Sequence, residues 1–452
     1  MSKMLVILNK DDVESVNRQL VSKLEKEVDR IDVVLETENF LELPYNWNLI
    51  NRDDIKDDEY IDGVYIHASR EDSPLITKKV FENCFTLLFT NKIDSLSVDN
   101  KFDLTVLKDG DLVHSKAIKH EKRSNEFFID VHNEHDVEYF MNNLGDIDKF
   151  ELTINSADNN ILKFSRKSSK TRSILEFIVS KDYTLVDFLD NKRNVFIKRE
   201  SLSKYIPKSI KGLQVIEKNG VFYTIEEKSK NDLNAPDRLI VIFSSMPGPD
   251  EYFSAKFEER SFVKHFPTIQ KLLVPNTNVL RIIDSNLMYG SHYINSNNFN
   301  NYEKTIQNII GEVSQKLGVK GNDIVLYGTS KGGTGALVHS LIGDYKSVTV
   351  DPIVDAQEYN YNMHNIHYIK GNREQSLVKK INELSTKSTA RNILIRSPQV
   401  KFNYGVTEQL NDTRIHFYDQ RNSNIKSHPE IGRNSVSEIL MFLNAQLLGL
   451  AI

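Results

Sequence analysis

Residues Asp323 to Leu337 restrict the fold more than any other stretch of this sequence. They run Ile324-Val325-Leu326-Tyr327, then Gly328-Thr329-Ser330-Lys331-Gly332, then Gly333-Thr334-Gly335-Ala336-Leu337. An apolar run of strand character stops at a glycine, turns through a serine and continues as an apolar-periodic helix. A serine on so sharp a strand-to-helix turn needs a glycine two residues before it and another two after it, because side chains there would strike the adjoining strand and helix. Gly328 and Gly332 meet that demand, and Gly333, Gly335 and Ala336 let the helix approach a sheet closely. The turn also sets the amide of Lys331 at a helix N-terminus, where unpaired N–H groups and the helix dipole favour negative charge developing on an oxygen. This is the layout of a nucleophile elbow with Ser330 as candidate nucleophile; a glycine-rich turn without chemistry is the competing reading.

A chain of 452 residues is too long for one ordinary core, so two or three domains are expected. With 39% hydrophobic and 27% charged residues it reads as a soluble globular protein. A net charge of −5 without a long basic block argues against nucleic acid, and against an anionic membrane surface, as the main partner. No window reaches the ~18 apolar residues of a spanning helix, and Met4 to Leu8 reads as a first strand, so no transmembrane segment is expected. The single Cys84 excludes an internal disulfide framework, and its apolar surroundings from Phe81 to Phe89 read as core. A cytoplasmic location is the expectation. H-E-x-x-H, C-x-x-C and Walker patterns are all missing, so neither a metal nor a nucleotide is assigned.

Along the chain, residues 1–98 alternate apolar runs (Met4 to Leu8, Ile31 to Leu35, Gly63 to His67, Cys84 to Phe89) with helical patterns near 12–29 and 76–82, which predicts a small α/β domain. From 99 to 170 strands dominate: Phe102 to Leu107 and Leu112 to Ile118 flank the hairpin signal Asp109-Gly110, and Phe127 to Val131, Phe150 to Ile154 and Ile161 to Phe164 follow. A β-rich, sandwich-like accessory domain interrupted by a helix near 134–144 is expected there, closed by a solvated linker at Lys167 to Arg172. Residues 171–234 form a connecting region with a strand at Asn194 to Lys198 and a hairpin at Asn219-Gly220. Beyond the turn-rich 231–237, strands at 238–243, 278–283, the elbow, 347–350, 392–395 and 414–418 alternate with helices near 301–317, 375–385 and 435–448. That spacing predicts a parallel sheet covered on both faces over 235–452, with the elbow at the carboxyl edge, where such sheets keep their ligands.

An elbow serine of this type takes a histidine from the loop after the last strand, and His428, in Asn424 to Gly432, is placed there; His364, His367 and His416 read as structural. The acid is open. The usual place after strand 392–395, Arg396 to Asn403, contains no carboxylate. Asp351, directly after strand 347–350, is the leading candidate, with Asp355 and the downstream Glu408 as alternatives. A second oxyanion donor should come from the loop after strand 238–243, which points to the backbone of Ser245 or Met246.

Tyr327 to Leu337, Val348-Thr349-Val350-Asp351-Pro352 and Ser427-His428-Pro429 together resemble the XcbB/CpsF family of bacterial capsular polysaccharide biosynthesis proteins. The plan of an N-terminal region before a hydrolase domain is also similar to the glycan-modifying acetyltransferase component of the accessory Sec export system. The resemblance implies an α/β-hydrolase-type C-terminal domain behind a mixed α/β and β-rich N-terminal region, and a role in surface-glycan assembly. The expectation is a serine-dependent acyltransferase or esterase acting on a glycan or its precursor, in the cytoplasm or at the inner face of the membrane. It would hold no bound cofactor and would take an acyl-CoA-type donor as co-substrate. The alternative is a non-catalytic assembly factor that uses the hydrolase fold as a scaffold for partners in capsule synthesis or export.

Overall fold

The computed structural model describes residues 125–155, 159–228, 234–264, 266–411 and 413–450 and, ahead of residue 125, the backbone of seven strands. The helices expected near 12–29 and 76–82, Cys84, the Asp109-Gly110 turn and residues 231–233 lie outside the described set. Two units divide at Ser124 and Asn125, whereas the sequence suggested boundaries at 98, 170 and 234.

The first unit contains one sheet of β1 (Lys3–Leu8), β2 (Arg30–Leu35), β3 (Asn48–Leu49), β4 (Val64–His67), β5 (Thr86–Phe89), β6 (Thr105–Lys108) and β7 (Asp111–Val113) in the order β3-β2-β1-β4-β5-β6-β7. All neighbours are parallel except β6 and β7, the pair flanking the Asp-Gly signal. The stretch expected as one β-rich domain over 99–170 is therefore split, because β6 pairs in parallel with β5. A hairpin signal is local, but a parallel partner is not written near the strand that takes it.

In the second unit, β8 (Glu126–Ile129), β9 (Lys149–Ile154), β10 (Tyr183–Leu189) and β11 (Arg193–Lys198) form a mixed sheet in the order β10-β11-β9-β8. Helices Glu134–Asn143 and Ser169–Ser180 pack on it, burying Phe140, Ile174 and Ile178 in one core with Ile129, Phe150 and Leu185. Two sequence readings are corrected here. Ile161–Phe164 is a short helix, because the Asn160 side chain accepts from the amides of Leu162 and Lys163, and a four-residue run with three apolar residues suits either structure. The expected linker at 167–172 is the start of the Ser169–Ser180 helix: Ser168 caps it by accepting from the Thr171 amide, and Thr171, Ile174, Leu175 and Ile178 bury its inner face at helical spacing.

After the small pair β12 (Ser209–Ile210) and β13 (Leu213–Gln214), the chain builds an eight-stranded sheet. Its strands are β14 (Ile216–Lys218), β15 (Val221–Glu226), β16 (Arg238–Phe243), β17 (Thr277–Ile283), β18 (Ile324–Thr329), β19 (Lys346–Val350), β20 (Asn392–Arg396) and β21 (Ile415–Asp419). They lie in the order β14-β15-β17-β16-β18-β19-β20-β21. The hairpin at Asn219-Gly220 has both turn residues at positive φ, 49° and 79°, the two-residue turn that Asn-Gly favours. β15 is antiparallel to both its neighbours, and the six strands from β17 to β21 are parallel. Thus part of the expected connecting region belongs to the main sheet.

Side chains of β16 alternate between two covered faces. Leu239, Val241 and Phe243 meet helix Tyr302–Lys316 on one side, and Ile240 and Ile242 meet helix Val436–Leu448 on the other. From β16 the chain runs to β17 on one side and returns to β18 on the other, a reversal of strand order beside which open α/β sheets keep a ligand crevice at their carboxyl edge. Among the described residues no helix is long and apolar enough to cross a membrane.

Candidate active site

β18 ends at Thr329, and the helix Lys331–Gly343 begins one residue after Ser330. Ser330 takes φ 57° and ψ −120°, a left-handed backbone that costs an L-residue of order 1–3 kcal/mol and persists only where its surroundings enforce it. The surroundings are backbone. A Cβ on Gly328 would lie 2.0 Å from the carbonyl oxygen of Gly332, and one on Gly332 would lie 2.1 Å from that of Phe243 at the end of β16. The Ser330 amide donates to the Val350 carbonyl on β19 at 2.9 Å, tying the turn to the next strand. Helix residues Lys331 to Leu341 are all buried, while Ser330 itself is partly exposed at the crevice.

His428 opens the short helix His428–Arg433, held by a capping box in which Ser427 and Glu430 satisfy each other's backbone. Its Nε2 is 2.6 Å from Ser330 Oγ, and its Nδ1 is 2.5 Å from Asp351 Oδ2. Asp351 is 1% exposed and lies directly after β19 with φ 41°. With Nδ1–H donating to the carboxylate, Nε2 is free to accept from the serine hydroxyl. Serine, imidazole and carboxylate thus form one continuous hydrogen-bonded chain across three loops at the sheet's carboxyl edge.

The other acid candidates are not brought to the imidazole. Glu408 is exposed at the C-cap of helix Lys401–Thr407, and Asp355 accepts from the Gln357 amide at 2.7 Å in the loop after β19. Ser245 and Met246 follow β16 as expected and are partly exposed. The Ser244 carbonyl just before them would lie 3.0 Å from a Cβ at Gly332, so this loop abuts the first turn of the elbow helix that begins with Lys331.

Several residues at the site carried no legible signal. Asn403, 3% exposed, places Nδ2 3.1 Å from Asp351 Oδ2, 3.0 Å from His428 Nδ1 and 3.4 Å from the Tyr359 hydroxyl. Tyr359 stands edge-on to His428 and stacks on His367. His367 Nδ1 lies 3.1 Å from His292 Nε2, and Arg373 donates to His292 Nδ1. Burial holds both histidines well below the usual imidazole range, with the Arg373 and Lys331 charges acting the same way. The polar loop that follows β17, residues 284–294, is buried throughout. The loop folds around Asp284, which accepts from the amides of Ser291 and Tyr293 and from the Tyr302 hydroxyl. Even so, burial raises the Asp284 carboxyl above its ordinary value. The Lys331 ammonium, fully buried, donates to the Tyr289 carbonyl at 2.8 Å; burial lowers its pKa and the Asp284 charge opposes that shift. Among the described residues no cluster of His, Cys, Asp and Glu is arranged to hold a metal ion.

No protein-family model matches this chain, and no curated protein matches it in sequence. Among solved structures, a capsule O-acetyltransferase of Neisseria meningitidis serogroup A is similar over 52% of this chain and 96% of its own, at 19% identity and a TM-score of 0.37. A glycosylation-associated protein (Gap123) complex from Streptococcus agalactiae is similar over 55% of this chain and 48% of its own, at 16% identity and a TM-score of 0.36. FphF, a fluorophosphonate-binding serine hydrolase of Staphylococcus aureus, is similar over 49% of this chain and 91% of its own, at 13% identity and a TM-score of 0.33.

Proposed function

We propose that this chain is a serine-dependent acyltransferase or esterase of the α/β-hydrolase type, and that its reaction is O-acyl transfer, acetyl above all, to a bacterial surface glycan or its precursor. The observation that carries the reading is the chain from Ser330 Oγ to His428 Nε2 at 2.6 Å and from His428 Nδ1 to Asp351 Oδ2 at 2.5 Å, standing on a strained turn. The strand order supports the fold type: numbered within the large sheet it is 1-2-4-3-5-6-7-8, with the second strand antiparallel and the elbow after the fifth. The substrate class rests on the motif resemblance around Ser330, Asp351 and His428.

In the first half-reaction Ser330 Oγ attacks the donor's acyl carbonyl while its proton passes to His428 Nε2. Asp351 holds the imidazole in the tautomer that can accept that proton and stabilises the imidazolium that results. The oxyanion forms beside the Lys331 amide, with Ser245 or Met246 supplying the second N–H. Collapse breaks the bond to the leaving group, which takes the proton from His428 and departs, leaving acyl-Ser330. In the second half-reaction His428 accepts the proton of an acceptor hydroxyl, which attacks the acyl carbon; the bond from that carbon to Ser330 Oγ breaks and His428 returns the proton to Oγ. An acyl-CoA-type thioester suits the first step as donor; a water molecule in place of the sugar hydroxyl makes the protein an esterase.

A fluorophosphonate probe tests this reading. It should label folded protein at Ser330 by peptide mapping, and Ser330→Ala should abolish the adduct. No adduct on the folded wild type, while a control hydrolase reacts in the same tube, refutes the proposal.

A further inference from the structure

Asn403 occupies an informative place. It follows β20, at the edge position where the sequence offers no carboxylate, yet its side chain reaches the same two groups a carboxylate there would address. We propose that Asn403 is a positioning residue for the Asp351–His428 pair, and that the carboxylate's task can be moved from position 351 to position 403. The inference rests on the serine mechanism proposed above and deepens it.

Proton counting fixes what the amide does. His428 Nδ1 carries the hydrogen that goes to Asp351 Oδ2 at 2.5 Å, so Nδ1 is a donor and cannot also accept from Asn403. The two hydrogens of Asn403 Nδ2 are therefore directed at Asp351 Oδ2, 3.1 Å away, and at the Tyr359 hydroxyl, 3.4 Å away. Turning the amide over would set its carbonyl oxygen against the carboxylate oxygen with no hydrogen between them, so the network selects the orientation with nitrogen toward Asp351. Asp351 Oδ2 then receives two hydrogen bonds, one from the imidazole and one from the amide, at a site only 1% exposed. That second donor fixes where the oxygen facing His428 stands.

The 3.0 Å from Asn403 Nδ2 to His428 Nδ1 has a further consequence. In a protein with both positions exchanged, an Asp at 403 offers an oxygen at the place now 3.0 Å from Nδ1; Nδ1–H must turn to it from position 351, where an Asn Nδ2 at the present 2.5 Å would be a second donor, and that Asn then donates to the Asp at 403. Donor and acceptor swap sides while the imidazole keeps its tautomer.

The test is steady-state hydrolysis of p-nitrophenyl acetate by the full chain and four variants, with circular dichroism as the check of folding. Asp351→Asn should lower kcat on the order of 10⁴-fold, the loss expected when a triad carboxylate becomes an amide. The double variant Asp351→Asn/Asn403→Asp should recover at least about 100-fold of that loss, a rescue that packing alone cannot produce. Asn403→Ala should lower kcat about 10-fold or more with KM unchanged, and this variant decides the matter should the double variant not fold. Absence of rescue in a folded double variant, or full kcat in Asn403→Ala with only its Tm lowered, overturns the inference. Ser330→Ala separates the two claims. Should it hydrolyse the ester as fast as the wild type, the serine mechanism falls and this inference with it; should it be inert while rescue fails, only the role of Asn403 falls.

Discussion

Lowering the pH from 7 to 5.5 should destabilise the second unit, by about 1.3 kcal/mol through His339 and in the same direction through His292 and His367, which its core also holds neutral. His292, His339 and His367 are 0%, 0% and 5% exposed. Burial lowers the His339 imidazole to about 4, and the Glu303 and Lys380 charges around it act in opposite directions. Its hydrogen bonds fit the neutral form: Nε2 lies 2.9 Å from the Tyr293 carbonyl, to which it donates, and Nδ1 lies 2.9 Å from Gln307 Nε2, from which it accepts. His292 and His367 are pushed well below the usual value by burial and by the neighbouring Arg373 and Lys331 cations. All three folded-state values lie below that of an unfolded histidine, so the unfolded chain binds more protons and stability falls as pH drops below about 6.5. For His339, unfolding with a pKa of about 6.5 and staying neutral when folded, the step from pH 7 to 5.5 costs about 1.3 kcal/mol. That is measurable against the roughly 5–15 kcal/mol typical of a domain. Urea titrations followed by far-ultraviolet circular dichroism at the two pH values measure it, since the single tryptophan, Trp47, lies in the first unit. His339→Gln removes one titrating group, so its loss between pH 7 and 5.5 should be smaller than the wild type's by about 1.3 kcal/mol. Identical losses in the two proteins, or a wild-type loss under about 1 kcal/mol, would refute the argument from burial.

Two further outcomes follow from the site's geometry. Gly332→Ala sets a Cβ 2.1 Å from the Phe243 carbonyl oxygen, so elbow and strand must part by more than ~1 Å; kcat on a p-nitrophenyl ester should fall on the order of 10²-fold and Tm should drop, and wild-type values of both would contradict the packing argument. Asp355→Asn and Glu408→Gln should keep ester hydrolysis within about two-fold of wild type, because neither carboxylate meets His428; a loss on the order of 10³-fold at either position would transfer the acid's role to it.

The elbow was legible because its chemistry is local: the glycines two residues to either side of Ser330 are demanded by contacts within a few residues of chain and with the preceding strand. His428 and Asp351 were legible by position, each following a strand of the sheet at its carboxyl edge. Asn403 was not, since an amide has no distinguishing residue type and its meaning appears only when helix Lys401–Thr407 brings it across 52 residues to Asp351. The burial of the polar stretch from Asp284 to Tyr293 was not legible, because composition does not reveal the hydrogen bonds converging on Asp284 that let a polar chain be buried. The helices at 161–164 and 169–180 hid behind their caps, where Asn160 and Ser168 look like turn and linker residues until their side chains are seen accepting helix amides. The hairpin that contains β15 was legible, but its pairing with β17 was not, because six residues of strand cannot announce a partner more than fifty residues away.

The segment from Ala356 to Gln375, closed at its base where the Ala356 amide meets the Gln375 carbonyl, has one arm on the triad and another on the accessory layer. Tyr359 touches His428 and Asn403, while Tyr368 bonds to Ser165, Ile366 accepts from Arg166, and Asn365 bonds to Glu176. Residues of the mixed sheet and its helices share one continuous core with Leu287, Met288, Tyr289, Tyr368 and Ile369. The accessory layer is therefore a foundation of the site and not an appendage to it. A piece started at 235 would lack Ser165, Arg166 and Glu176, the residues that hold this segment beside His428 and Asn403.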